Sequence, residues 1–372
     1  MSSAFVNGSF VPLEEATLSL FDAGLQHGVG LFETMLGGCR VPVNSAFRDA
    51  FDEEDNRAGT PWVLDIDDHL ARLAESARAL GLSDDLRVSA LREAVFATVR
   101  QSGLARARVR LTVTGGQLNM LKRDLPGSPQ ASTERPAHEP GVFIVATAAT
   151  QYPQAMLDQG VMAVIADTKA NPFNPFESHK TLNYWWRLRE LQAAAAKNAG
   201  EALVFSITNH LCGGCVSNAL IVKDGEVYSP PCRGEELEAG RDPFDAAMER
   251  SRESTDEAAA EALGAPGIRP GRGAPPPAAN KPTGLRLPSA VLPGIARLWA
   301  SRTLAGEGTV LIKKYLSVSD VLEADEVLLT NSSWGVLPVV AVEGKVIGTG
   351  KPGDVGRLLM AAWKNTLDTE SA

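Results

Sequence analysis

Lys180-Thr-Leu-Asn-Tyr184 stands at the head of a helical stretch, residues 183–198, and short apolar strands follow at 202–206 and 219–222. Lys223-Asp-Gly-Glu226 reads as a hairpin turn closing the second of them. Upstream, alternation of Arg108 and Arg110 with apolar neighbours predicts a strand over 107–114 with one polar face, followed by strands over 142–147 and 162–166. Leu70, Leu73, Ala77 and Leu80 recur at helical spacing and Gly81 ends the pattern, so 67–81 reads as an amphipathic helix. A second helix is expected over 89–101. At the beginning, Asn7-Gly8 supplies the turn of a hairpin over 5–11, and a glycine-punctuated loop over 23–35 feeds another strand. Downstream, Ala290-Val-Leu-Pro-Gly-Ile-Ala-Arg297 leads into a helix, then strands around 309–312, 326–330 and 339–342. Helices and strands are interleaved throughout, which is an α/β pattern.

Two stretches interrupt it. Residues 126–140 are rich in Pro, Ser, Gly and charge and read as linker. Residues 233–287 hold the low-complexity run Gly-Arg-Gly-Ala-Pro-Pro-Pro beside a heavily charged helix-capable segment, and read as an insertion, partly disordered. At 372 residues the chain is long for one domain and comfortable for two. Its formal net charge of -9 argues against binding a phosphate backbone, which needs clustered Lys and Arg. Neither a long apolar run nor an N-terminal targeting pattern stands out, so the expectation is a cytoplasmic protein without a membrane span. Four cysteines are too few for a disulfide scaffold. Cys212-Gly-Gly-Cys215 has the spacing of zinc and thiol-redox sites, but Cys39 and Cys232 stand alone, so no metal is expected and loop packing is the better reading.

Several local patterns occur in a telling order. They are Asp68-His-Leu-Ala-Arg-Leu73, Lys180-Thr-Leu-Asn-Tyr184, Val216-Ser-Asn-Ala-Leu-Ile-Val222 with Lys223-Asp-Gly225, and Leu292-Pro-Gly-Ile-Ala-Arg297. Ala324-Asp-Glu-Val-Leu-Leu-Thr-Asn-Ser-Ser333 and Pro338-Val339 support them, as do Asn7-Gly8 and Gln26-His-Gly28. Each alone is weak; jointly they resemble the class IV (fold-type IV) pyridoxal-phosphate aminotransferases. That family includes branched-chain and D-amino-acid aminotransferases and aminodeoxychorismate lyases. The resemblance covers nearly the whole chain except residues 43–60, 126–140 and 233–287.

The resemblance implies a D-amino-acid-aminotransferase-like α/β fold. A small α+β domain is expected over 1–145 and a larger cofactor-binding domain with a β-barrel-like core over 155–372. It implies a homodimer and pyridoxal 5'-phosphate as cofactor, with Lys180 carrying it and shuttling the substrate's α-proton. By its context alone Lys180 reads equally well as a surface lysine. The cofactor's phosphate needs amides at a helix start and a cation. Ile295 and Ala296 match the amides, Arg72 matches the cation, and Ser332 matches a further phosphate contact. Tyr184 matches the tyrosine that bonds the ring oxygen. Phe32 matches a pocket-wall aromatic, Ser333 a substrate contact, and Arg110, beside Arg108, borders the expected substrate pocket.

One position departs from the pattern. Gly213 falls where the family carries a glutamate that holds a proton on the pyridine nitrogen. Another carboxylate reaching in, chemistry that needs a weaker electron sink, or an attenuated site would each account for it, and an attenuated site would gain turnover from Gly213→Glu. The expected activity is amino transfer between an amino acid and a 2-oxo acid. Aminodeoxychorismate lyase, releasing pyruvate and 4-aminobenzoate, is the alternative within the family. A cofactor-free relative serving as a binding or regulatory protein is the alternative outside it.

Overall fold

A computed structural model describes residues 3–40, 59–117, 140–237 and 287–371. The linker expected over 126–140 and the insertion over 233–287 lie outside the described residues, save Pro140, 233–237 and Leu287. The strands fall into two sheets. The first holds β1 (Ser3–Val6), β2 (Ser9–Pro12), β3 (Gly30–Arg40), β4 (Thr60–Val63), β5 (Ala107–Thr114) and β6 (Gly141–Ala148) in the order β2-β1-β6-β5-β3-β4. All its neighbours are antiparallel. Asn7 and Gly8, at φ 48° and 95°, form the turn between β1 and β2. In β5 the alternation holds: Ala107, Val109, Leu111 and Val113 are buried, and Arg108 and Arg110 are half-buried on the other face.

The stretch over 23–27 is not all loop, because α1 (Ala23–His27) forms there, capped by the Asp22 side chain accepting from Gly24 N–H. The buried face of the sheet is covered by α2 (Ile66–Ala79) and α3 (Val88–Ser102). Helix α2 turns Ile66, His69, Leu70, Arg72, Leu73, Ser76 and Ala77 inward, so one helical face carries both the core and a polar group. Gly81, at φ 68°, follows its C-terminus.

The second sheet holds β7 (Val161–Ile165), β8 (Glu201–Phe205), β9 (Leu211–Gly214), β10 (Asn218–Lys223), β11 (Glu226–Ser229), β12 (Leu311–Lys313), β13 (Glu326–Asn331) and β14 (Gly335–Val342), with β15 (Lys345–Val346) pairing β14. Its order is β12-β11-β10-β13-β14-β7-β8-β9, parallel at β11–β12, β14–β7 and β7–β8. Strand β9, at the end of that order, returns into β10 through a turn closed by Gly214 N–H donating to Ser217 O at 2.9 Å. The sheet therefore curls on itself, giving the barrel-like core expected for the second half. Helices α4 (Gln154–Gln159), α5 (Trp185–Ala196), α6 (Ile295–Gly306), α7 (Val318–Leu322) and α8 (Asp354–Ser371) complete the α/β fold. The sheets share a core: Leu36 and Trp62 of the first cluster with Leu220, Val222, Trp299 and Trp363.

Candidate active site

A cavity of about 880 Å³ lies between the sheets. Strands β3 and β5 supply Phe32 and Arg110, α2 supplies Arg72, and residues 177–188 contribute Lys180 and Tyr184. The opposite wall is Cys212, Gly214 to Asn218, the turn at Leu292 to Ala296, and Thr330 to Trp334. The cavity thus gathers Lys180, Arg72, Tyr184, Ile295, Ala296, Ser332, Ser333, Phe32 and Arg110. It does not include Gly213.

Lys180 sits outside the regular elements, held by a bridge between Leu31 and Thr181. Phe32 N–H donates to Lys180 O and Leu182 N–H to Gly30 O, each at 3.0 Å, so the backbone of the lysine is registered to β3. Its Nζ lies 4.5 Å from the centre of the Phe32 ring and 5.6 Å from that of Tyr184, and it makes no ion pair among the described residues. Burial, with Arg72 next and Glu33 opposing, draws the amine from 10.5 down to about 7. A neutral amine at neutral pH is a nucleophile.

Beneath it lies a buried triad. Glu33 accepts from Arg72 Nε at 2.9 Å on one oxygen, and from Arg72 Nη2 at 2.5 Å and His69 Nδ1 at 2.7 Å on the other. Burial alone would raise the Glu33 carboxyl, but the charge of Arg72 and the bonds from His69 and Arg72 hold it at about 2. Burial keeps His69 neutral-leaning, which leaves its Nε2 to accept from Ser332 Oγ at 3.4 Å. The third nitrogen of Arg72, Nη1, donates to Pro293 O at 2.8 Å, fixing the turn before α6.

That turn requires glycine. Asn218 Nδ2 donates to Leu292 O at 2.9 Å, and a Cβ at Gly294 would fall 1.7 Å from Asn218 Oδ1. With Gly294 as N-cap and no side chain capping it, α6 begins with the amides of Ile295 and Ala296 unpartnered among the described residues. Twelve aligned residues behind them add the positive end of the helix dipole. Thr330, 1% exposed and paired with Asn218 across the strands, has a hydroxyl with no hydrogen-bond partner among the described residues. An orphaned buried hydroxyl, free helix-start amides and an unpaired amine form a cradle for an anionic ligand that reacts with amines, and pyridoxal phosphate fits that description.

Tyr184 O–H donates to Cys215 O at 3.4 Å, and its ring meets Phe32 edge-on at 5.3 Å. The Arg110 guanidinium lies 3.5 Å above Phe32 and donates to Thr112 Oγ1, and burial followed by Arg108 pulls it down to about 10. Ser333 N–H donates to Asn331 Oδ1 at 2.8 Å, and its side chain lines the cavity. Gly213 sits at φ 124°, and a Cβ there would approach Ser217 O to 2.6 Å, so the position cannot hold a carboxylate without moving the backbone. Cys212 and Cys215 are free thiols pushed up to about 12 by burial, and Cys212 belongs to β9 rather than to a loop.

Sequence reasoning missed Glu33, His69, Glu177, Arg187 and Thr330. His69 was legible in principle, three residues before Arg72 and so on the same helix face. Glu33 directly follows Phe32, but its burial depends on β3 being covered on both sides.

A model of the class IV aminotransferases matches residues 54–238. A putative branched-chain-amino-acid aminotransferase of Methanocaldococcus jannaschii is 23% identical, over 97% of this chain and 95% of that protein. Branched-chain amino acid aminotransferase of Escherichia coli superposes with a TM-score of 0.71 at 20% identity, covering 100% and 96% of the two chains. The branched-chain amino acid aminotransferase of Thermoproteus uzoniensis with norvaline gives 0.68 at 18% identity, over 99% and 95%. A further branched-chain enzyme, solved with pyridoxamine 5'-phosphate, gives 0.69 at 20% identity, again over 99% and 95%. The 4-amino-4-deoxychorismate lyase of Pseudomonas aeruginosa gives 0.66 at 23%, over 98% and 99%. Those likenesses establish the fold, and the family model assigns residues 54–238 to the class IV aminotransferases.

Proposed function

We propose that the protein is a pyridoxal-phosphate enzyme moving an amino group between an amino acid and a 2-oxo acid. The observation that carries this reading is the Lys180 amine, drawn down to about 7 in a cavity walled by Phe32, Arg72 and the start of α6. The cofactor supplies an aldehyde that condenses with amines and a ring that draws electrons from the substrate's α-carbon. Arg72 and the amides of Ile295 and Ala296 would hold its phosphate, with Ser332 alongside, and Tyr184 would bond the ring oxygen. Lys180 Nζ would take the substrate's α-proton, a task suited to an amine near neutrality. Arg110, stacked on Phe32 and free of carboxylates among the described residues, would receive a substrate carboxylate with the Ser333 hydroxyl.

The test is direct. The purified protein mixed with pyridoxal phosphate should turn yellow, lose that absorbance as Lys180→Ala, and convert amino acid plus 2-oxoglutarate to products. A colourless protein that takes up no cofactor would instead be a binding or regulatory relative.

Lyase chemistry is the second reading, favoured by the Thr330-Asn-Ser332 run beside the cavity and the likeness to the Pseudomonas aeruginosa lyase. Release of pyruvate and 4-aminobenzoate from aminodeoxychorismate without an amino acceptor would select it.

We also infer a homodimer working in the cytoplasm. Leu20, Phe21 and Trp185 are 76%, 72% and 82% exposed, apolar surface that a second copy would cover. No described helix is long and apolar enough to cross a membrane, and Cys39, Cys212, Cys215 and Cys232 are free. Sedimentation at micromolar concentration tests the dimer, and a monomer would refute it.

A further inference from the structure

We propose that the ring nitrogen of the bound cofactor carries no proton in this protein, because the described residues lining the cavity include arginines and no unpaired carboxylate. The inference rests on the reading of the cavity as a pyridoxal-phosphate site.

A protonated pyridine in a protein interior needs a negative partner to hold its charge. Four positions come into question. Residue 213 is excluded, since a side chain there would collide with the backbone at Ser217 O and Asn218 Cα. Glu33 is consumed by three bonds from Arg72 and His69. Glu201, behind the β9–β10 turn, is wholly buried and accepts from four donors: Ala202 N–H at 3.0 Å, Cys215 N–H at 3.2 Å, Val216 N–H at 3.3 Å and Ser217 O–H at 3.1 Å. A carboxylate offers about four lone-pair positions, so Glu201 has none to spare.

Glu177 remains, the one acidic residue among those lining the cavity in the described chain. Its carboxylate is taken by Arg187 Nη2 at 3.3 Å, with both side chains largely buried. Arg187 also donates through Nη1 to Cys215 O at 3.3 Å, the carbonyl that Tyr184 contacts, and stacks 4.4 Å over Trp186. Arg187 is therefore fixed at the Tyr184 edge of the cavity, where it neutralises the one acid that lines it among the described residues. Lys180, Arg72, Arg108 and Arg110 line the same space. A pyridinium would share the cavity with Arg108 and Arg110, which have no carboxylate partner among the described residues, and like charge opposes the proton. Arg187 acts here as a positioning residue: it keeps the Glu177 carboxylate paired.

The whole protein, loaded with pyridoxal phosphate enriched in nitrogen-15 at the ring, can be followed by nitrogen NMR from about pH 6 to about pH 9. The expected resonance is that of an unprotonated pyridine throughout. A pyridinium resonance at neutral pH would overturn the inference while leaving the cofactor site intact. A protein that takes up no cofactor would remove the underlying reading, and the inference with it. The analogue with carbon in place of the ring nitrogen should bind within about threefold of the cofactor, because no charge-assisted bond is lost. Weakening of about tenfold or more would contradict the proposal. In Arg187→Gln, Glu177 is released and the ring nitrogen should begin to titrate within that pH span. A spectrum unchanged from the parent would remove Arg187 from the explanation.

Discussion

Arg72 and Glu33 form a two-pronged pair, with Nε–Oε1 at 2.9 Å and Nη2–Oε2 at 2.5 Å, between a helix and the strand it covers. Glu33 is 1% exposed and Arg72 8%, so neither charge has water as a fallback. The remaining nitrogen reaches Pro293 O, and the pair therefore anchors the turn that opens α6.

Removing one partner should cost more than removing both. Arg72→Met leaves Glu33 buried with His69 alone, an expected loss of about 3–5 kcal/mol in denaturant titration. Arg72→Met combined with Glu33→Met should recover a substantial part of that stability without recovering cofactor affinity. Equal losses in single and double variants would mean the pair is not coupled.

Lys180 sets a pH dependence whose sign can be worked out. Its amine is held at about 7 in the folded chain against 10.5 ordinarily. Between those values the unfolded chain binds more protons, so stability rises with pH. The cost of burying the amine is full below about 7 and gone above about 10.5. Lys180→Met should thus melt higher than the parent at about pH 6, both cofactor-free, with the gap closing toward about pH 10. A gap independent of pH would argue against a depressed amine.

Thr330→Val should separate stability from binding. The hydroxyl has no partner among the described residues, so an isosteric methyl should stabilise the cofactor-free protein by about 1 kcal/mol. If that hydroxyl serves the ligand, cofactor or substrate binding should weaken by about threefold to tenfold in the same variant, measured by equilibrium titration. Loss of stability without loss of binding would assign it to packing.

Gly213→Glu should harm rather than repair. The backbone at φ 124° and the approach to Ser217 O at 2.6 Å make any side chain strained, by about 1–3 kcal/mol from the backbone alone. The expectation that a restored glutamate raises turnover is thereby reversed. The melting temperature should fall, and turnover should not rise above the parent's.

Much of this arrangement was readable from spacing. The alternation in β5 put Arg108 and Arg110 on one face, and the Leu-Pro-Gly-Ile turn announced a helix start with free amides. That Lys180 is buried in the cavity was legible only through its company, since nothing local distinguishes a buried lysine from a solvated one. What spacing could not carry is partnership. That Glu33 is consumed by Arg72 depends on α2 lying across β3, and that Arg187 occupies Glu177 depends on a loop and a helix meeting. The glycine at 213 read as a missing carboxylate, because φ is invisible in a one-dimensional string. Strand β9 escaped notice because Leu211-Cys-Gly-Gly214 has neither length nor alternation and pairs only through the curl of the sheet.

The bridge between Leu31 and Thr181 has a mechanical consequence. Lys180 follows β6 and β7 in the chain yet is laced to β3, so the reactive amine is mounted on the jaw formed by the antiparallel sheet. Lys180 and Phe32 therefore form one unit, which faces the Thr330 to Trp334 wall across the cavity. A distance probe spanning β3 and Thr181 would report one short, fixed separation, set by those paired hydrogen bonds.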